Sequence, residues 1–125
     1  MKIASIDIGT NTCNLLIADY SKDKGISFLH REKKAITLIN KDFTANTISA
    51  GSVSHLLNVL NDYKITINAH KADRIVATAT SGIRSAANRN SVIDTLETGS
   101  GIKIRVIDGN KEAELAWKGV KNAVK

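Results

Sequence analysis

Apolar and polar positions alternate in short blocks along the chain, and each block ends in a turn signal. Residues Lys2 to Ile8 read as a strand, and Cys13 to Tyr20 as a second. The gap between them is short and contains Gly9, so a β-hairpin is the simplest link. The polar stretch SKDKG, residues 21–25, predicts a turn, and ISFLHREKKAI, residues 26–36, a third strand with Ile26, Phe28 and His30 on one face. Residues 37–47 are polar and carry no readable period. A helix then begins at Ile48-Ser49. Ser49 is a suitable N-cap, and Ile48 and Val53 have the spacing of a hydrophobic staple. Val53, Leu56, Leu57, Leu60 and Tyr63 form one helical stripe. DRIVATAT, residues 73–80, predicts a strand rich in β-branched and small residues. A short helix follows from about Ser81, and another runs from about Ser91 to Glu97. GIKIRVI, residues 101–107, alternates as a strand does. From about Asn110 the pattern turns helical, with Ala113, Ala116, Trp117, Val120 and Val124 as its stripe. The order β-β-β-α-β-α-β-α predicts a mixed sheet with helices packed on it.

Composition narrows the class. The 125 residues suit one domain with a real core, and 42% hydrophobic with 24% charged residues is ordinary for a globular protein. No apolar run approaches the roughly 20 residues of a membrane span, and the N-terminus has no signal-peptide pattern, so no membrane partner is expected. The single Cys13 cannot form an internal disulfide and fits no metal spacing, which makes a reducing cytoplasm the expected compartment. The net charge of +6 is spread through the chain and suits an anionic partner, although many basic proteins bind nothing special. Aromatic residues at 4% argue against a stacking platform for single strands, and no specific nucleic acid is expected.

Three segments could carry chemistry. SIDIGTNTCNLLI, residues 5–17, brings the carboxylate of Asp7 to the end of an apolar strand, where it needs donors or a cation. The turn after it can supply N–H groups and the hydroxyls of Thr10 and Thr12, and Asn11 tolerates positive φ. Either Asp7 is satisfied by its own hairpin, or the hairpin holds an anion while Asp7 holds the Mg²⁺ that neutralises it. TATSGIRSAANR, residues 78–89, takes a strand end into a helix. Arg84 would lie in the first turn, where a cation is disfavoured unless an anion sits there too; the alternative is a solvated side chain. Arg89 reads as a surface charge. IDGNKEAEL, residues 107–115, places Glu112 in a first helical turn, which suits either a capping acid or a general base. The histidines 30, 55 and 70 are too scattered for a metal site, and Trp117 reads as core. All three segments lie at strand ends. If those ends converge, one crevice would hold a cation site, a phosphate cradle, a charge stabiliser and a base, the parts needed for phosphoryl hydrolysis.

These segments resemble the exopolyphosphatase and guanosine pentaphosphate phosphatase (Ppx/GppA) family of the actin and sugar-kinase superfamily. IASIDIGTNTCNLLIADY resembles the family's first phosphate-loop hairpin, usually Asp-Ile-Gly-Ser-Asn-Ser. ATATSGIRSAANR is similar to its Ala-Thr-x-Ala-x-Arg-x-Ala-x-Asn segment, and VIDGNKEAEL to its Ile-x-Gly-x-Glu-Glu-Ala-Arg segment. The resemblance implies an α/β, ribonuclease-H-like mixed sheet with helices on both faces. It implies release of terminal phosphate from polyphosphate or guanosine pentaphosphate, with Mg²⁺ as cofactor. By the same resemblance Asp7 is the metal residue, Thr10, Asn11, Thr12 and Arg84 bind phosphate, and Glu112 is the catalytic base. Guanosine tetraphosphate and a homodimer of the full-length protein are further partners it implies.

The chain also departs from the family pattern. Lys111 stands where the first Glu of the pair is usual, Glu114 where Arg is usual, and Asn14 at a position often held by Arg. The second phosphate loop, Asp-Gly-Gly-Gly-Ser, is absent from the 125 residues. The expectation is therefore an N-terminal lobe, spanning 1–125, whose active site is completed by a second lobe of the same protein and which alone hydrolyses little or nothing. Two other readings share the motifs: a lobe of a kinase from the same superfamily, and a non-catalytic module that binds polyphosphate or an alarmone.

Overall fold

The computed structural model describes residues 1–38 and 47–107. Strands β1 (Lys2–Ile8), β2 (Thr12–Ser21) and β3 (Gly25–Ala35) form an antiparallel meander. Helix α1 (Ala50–Ala69) then carries the chain back to β4 (Arg74–Ala79), which pairs parallel with β1. The one-turn helix α2 (Ser81–Arg84) and helix α3 (Arg89–Ser100) lead to β5 (Ile104–Val106), parallel to β4. The sheet order is β3-β2-β1-β4-β5.

One face of this sheet makes the core. Ala4, Ile6 and Ile8 alternate with half-buried residues along β1, and Cys13, Leu15 and Ile17 do so along β2. Parallel register places Ala77 and Ala79 of β4 beside Ile6 and Ile8 on the same side. Leu56, Val59, Leu60, Tyr63 and Ile67 of α1 cover that face, with Val92 and Leu96 of α3 in the same cluster. Ser49 caps α1 as its type predicts, accepting from Ser52 N at 3.1 Å. The helix reaches further than the sequence stripe: Val59 and Ile67 are fully in the core, whereas Val53 and Leu57 only pack against it.

Two ties fix the helix layer to the sheet. The fully buried Tyr63 donates its phenolic O–H to the Cys13 carbonyl, and burial pushes its pKa up. Asn88 donates to the Ile48 carbonyl and accepts from the Ile48 N–H, both at 3.0 Å. Its side chain is therefore unavailable to cap α3, which begins at Arg89 rather than near Ser91. β5 is three residues long, and on its outer side the Glu97 carboxylate accepts the Ile104 N–H at 2.8 Å.

The third strand differs from its sequence pattern. The ladder pairs Ile17 with His30 and Ala18 with Phe28, so Leu29 is an extra residue, a β-bulge. The bulge turns His30 to the core side and leaves Phe28 on the opposite face, 58% exposed, with the Arg31 guanidinium 4.8 Å from its ring centroid. The described helices pack on a single face of the sheet. The helix expected from about Asn110, and with it any cover for the other face, lies outside the described residues. No helix among the described residues is long and apolar enough to cross a membrane.

Two outcomes follow from this packing. Tyr63→Phe removes a buried hydrogen bond to a strand carbonyl and should cost about 0.5–1.5 kcal/mol in a urea titration read by far-UV dichroism. The Cys13 thiol, buried and near the Asp7 charge, is pushed up to about 12. Iodoacetamide at pH 8 should therefore spare it in the folded protein and modify it readily in urea, as mass spectrometry would read.

Candidate functional site

Parallel pairing brings the carboxyl ends of β1, β4 and β5 side by side, the usual place for a ligand in an open α/β sheet. Thr80 N donates to Ile8 O at 3.1 Å and Ile107 N to Ala79 O at 3.0 Å, so each strand end is tied to its neighbour. Asp7, the hairpin of residues 9–11, the start of α2 and Arg84 all lie along this edge.

The hairpin is held from outside. Gly9 N donates to Thr12 O at 2.9 Å and closes the turn. The carbonyls of Thr10 and Asn11 accept from Leu38 N at 3.3 Å and Ile36 N at 2.9 Å. Among the described residues no acceptor takes the N–H groups of Thr10 and Asn11, the arrangement an anion-binding turn requires. The Thr10 hydroxyl lies 3.2 Å from that of Ser81 and joins the hairpin to the start of α2. Gly82 makes this approach possible: a Cβ there would stand 3.1 Å from both Thr10 Cα and Leu38 Cδ1. Gly82, Ser81 and Leu38 were not legible as site residues. Only the small pair after Thr80 hinted at a close approach.

Asp7 is half-buried, and its Oδ1 is buried with no hydrogen-bond partner among the described residues. The reading in which the hairpin satisfies this carboxylate therefore fails for that oxygen. Desolvation raises its pKa above the usual carboxylate range. An orphaned, acceptor-only oxygen suits a small divalent cation. No cluster of three His, Cys, Asp or Glu stands among the described residues.

Arg84 differs from expectation in its helix position. α2 has four residues and Arg84 is the last, so the dipole does not oppose its charge, and the argument for an anion from a misplaced cation falls away. Its Nη1 donates to the Ile107 carbonyl at 2.9 Å, which carries the guanidinium across to the end of β5. The rest of the group has no protein partner among the described residues. Arg84 lines an open cleft of about 640 Å³ with Arg89, Asp94, Glu97 and Val106. Arg89 is exposed and donates to the Arg84 carbonyl at 3.3 Å. Glu112, Lys111, Glu114 and Trp117 lie outside the described residues.

The structure thus brings Asp7, Thr10, Asn11 and Thr12 together with the start of α2, and sets Arg84 on the β5 side of the same edge. The histidines are less scattered than their spacing suggests. The His30 and His70 rings lie 5.4 Å apart, and His30 Nε2 is 2.9 Å from the Glu32 carboxylate, which it holds below its usual pKa. Nothing in that group completes a metal site.

Solved structures share this architecture. A member of the Ppx/GppA protein family from Aquifex aeolicus superposes with a TM-score of 0.88 at 29% identity, covering 96% of this chain and 39% of that one. An exopolyphosphatase from Cytophaga hutchinsonii gives 0.85 at 35% identity, over 99% and 39%. Among curated proteins, exopolyphosphatase 2 of Mycobacterium tuberculosis is 30% identical over 94% of this chain and 40% of its own length. A bifunctional 3-dehydroquinate synthase/phosphatase of Fusobacterium nucleatum is 34% identical over 94% of this chain and 18% of its own length. The chain thus spans well under half of these relatives. The sequence profile of the Ppx/GppA phosphatase family matches residues 16–125, and the chain belongs to that family.

Proposed function

We propose that this chain is the N-terminal lobe of an exopolyphosphatase-type hydrolase that releases terminal phosphate from polyphosphate or guanosine pentaphosphate. The observation that carries the reading is the pairing of an orphaned carboxylate oxygen on Asp7 with uncommitted N–H groups at Thr10 and Asn11 on one edge of the sheet. An anion alone would not suit the acid, and a cation alone would leave the hairpin unused. A phosphate accompanied by a divalent cation answers both. The names of the relatives, two of them exopolyphosphatases, support the same chemistry.

In this reading the terminal phosphate rests on the Thr10 and Asn11 N–H groups and the hydroxyls of Thr10 and Thr12. Asp7 would hold Mg²⁺, and the ion would supply neutralisation of charge that develops on the phosphoryl oxygens. Arg84, anchored through Ile107 O, directs its remaining N–H groups at that charge. Glu112 accepts the proton of the attacking water. The second lobe supplies the opposite wall, and the isolated chain turns over little or no substrate.

Phosphate release by the full-length protein tests the base. Glu112→Ala should lower kcat on polyphosphate by about 100-fold or more, and turnover near wild type would remove Glu112 from that role. The cation site has a separate readout. The raised pKa of Asp7 means that ionising it opposes folding: its contribution is whole at low pH and is lost as pH rises through the folded value. At neutral pH in EDTA, Asp7→Asn should therefore melt above wild type. Magnesium should raise the melting temperature of wild type and leave that of Asp7→Asn unmoved.

A further inference from the structure

One row of side chains crosses all five strands on the face that carries Asp7. The register pairs Lys33 with Asn14, Asn14 with Asp7, Asp7 with Thr78, and Thr78 with Arg105. Residues paired across neighbouring strands share a face, so these five stand in line. A carboxylate occupies the centre, neutral polar residues flank it, and an exposed cation stands at each end.

Lys33 is the cation with room for a ligand. It is exposed, and among the described residues it makes no ion pair or hydrogen bond. Lys34, one residue on and facing the other side, is committed: its Nζ is 3.2 Å from Asp62, 3.5 Å from Glu32 and 5.3 Å from the Tyr63 ring centroid. Arg31, next along on the Lys33 face, is held over Phe28. A cavity of about 460 Å³ is lined by Asn14, Leu15, Leu16, Arg31, Glu32 and Lys33, on the β2–β3 side of Asp7, and the Glu32 carboxylate there is already paired with His30 and Lys34.

Direction follows from where the other groups stand. Arg84 reaches the end of β5 through Ile107, so the charge stabiliser lies on the β4–β5 side of Asp7. The side across β2 toward β3 is then a path open to the remainder of a substrate whose terminal phosphate sits at Asp7. Strands about 4.8 Å apart put the Lys33 backbone about 10 Å from that of Asp7, which lets its long side chain reach a phosphate next to the terminal one. We infer that Lys33, with the Asn14 amide beside it, binds an inner phosphate of an extended oligophosphate and sets a preference for chains over single phosphates. The inference rests on the phosphatase reading only in placing the terminal phosphate at Asp7.

The test uses the full-length protein with long-chain polyphosphate. Lys33→Gln should raise KM and the calorimetric Kd for the chain about tenfold at low salt, with kcat retained and inhibition by orthophosphate unchanged. Lys33→Arg should restore both constants. Lys22→Gln makes the same change of net charge in the β2–β3 turn and should alter neither. Equal shifts in Lys22→Gln and Lys33→Gln, or no shift in Lys33→Gln, would overturn the role of Lys33 while leaving the phosphatase reading intact. If wild type binds the chain but releases no phosphate from it or from guanosine pentaphosphate, the phosphatase reading fails and the calorimetric constants alone decide Lys33. If wild type does not bind the chain, the role of Lys33 fails, and release from guanosine pentaphosphate alone decides the phosphatase reading.

Discussion

The parallel pairing of β1 with β4 is the constraint on which the rest depends. It sets Ile8 beside Ala79, so that Thr80 can donate to the Ile8 carbonyl as the chain leaves the sheet. That bond starts α2 directly above the hairpin, and Gly82 removes the one side-chain atom that would hold them apart. Buried apolar residues on one face set this register. A slip of one residue would turn Ala77 and Ala79 outward and Thr78 into the core. The core thus enforces an alignment whose chemical use lies entirely on its rim.

That rim carries an unrecovered cost. A half-buried carboxylate with an unpaired oxygen destabilises the fold. The favourable interactions lie elsewhere, in the α1–sheet contact, in Tyr63 tied to Cys13, and in Asn88 bound twice to Ile48. This division is typical of binding sites, where polar groups are held ready for a ligand at the expense of stability.

Local chemistry was legible and non-local chemistry was not. Ser49 read as an N-cap because the motif needs only four neighbouring residues, and the three long strands read from their own composition. Leu29 gave no sign of a bulge, since the extra residue exists only relative to Ala18 and Ile17 across the ladder. Asn88 gave no sign of its role, because the residue that claims its side chain lies 40 positions away. Arg84 was assigned to a first turn because nothing in SGIRSAANR marks where a four-residue helix stops. His30 and His70 meet only because α1 runs back along the sheet to β4. Of the candidate site, the sequence put Asp7 and the hairpin forward together, because they are contiguous in the chain. The contacts that fix their geometry come from residues 36–38 and 80–82, segments with no chemistry of their own.

The Glu97–Ile104 bond has a consequence at the border of the sheet. β5 is an edge strand of the described sheet, and its outward N–H groups offer a template to any extended segment that approaches. With its carboxylate on Ile104 N, Glu97 occupies the donor that an incoming strand would need first, and it brings a negative charge to meet that strand's carbonyls. One acid in the last turn of α3 therefore makes the outer rim of β5 a poor template for strand addition.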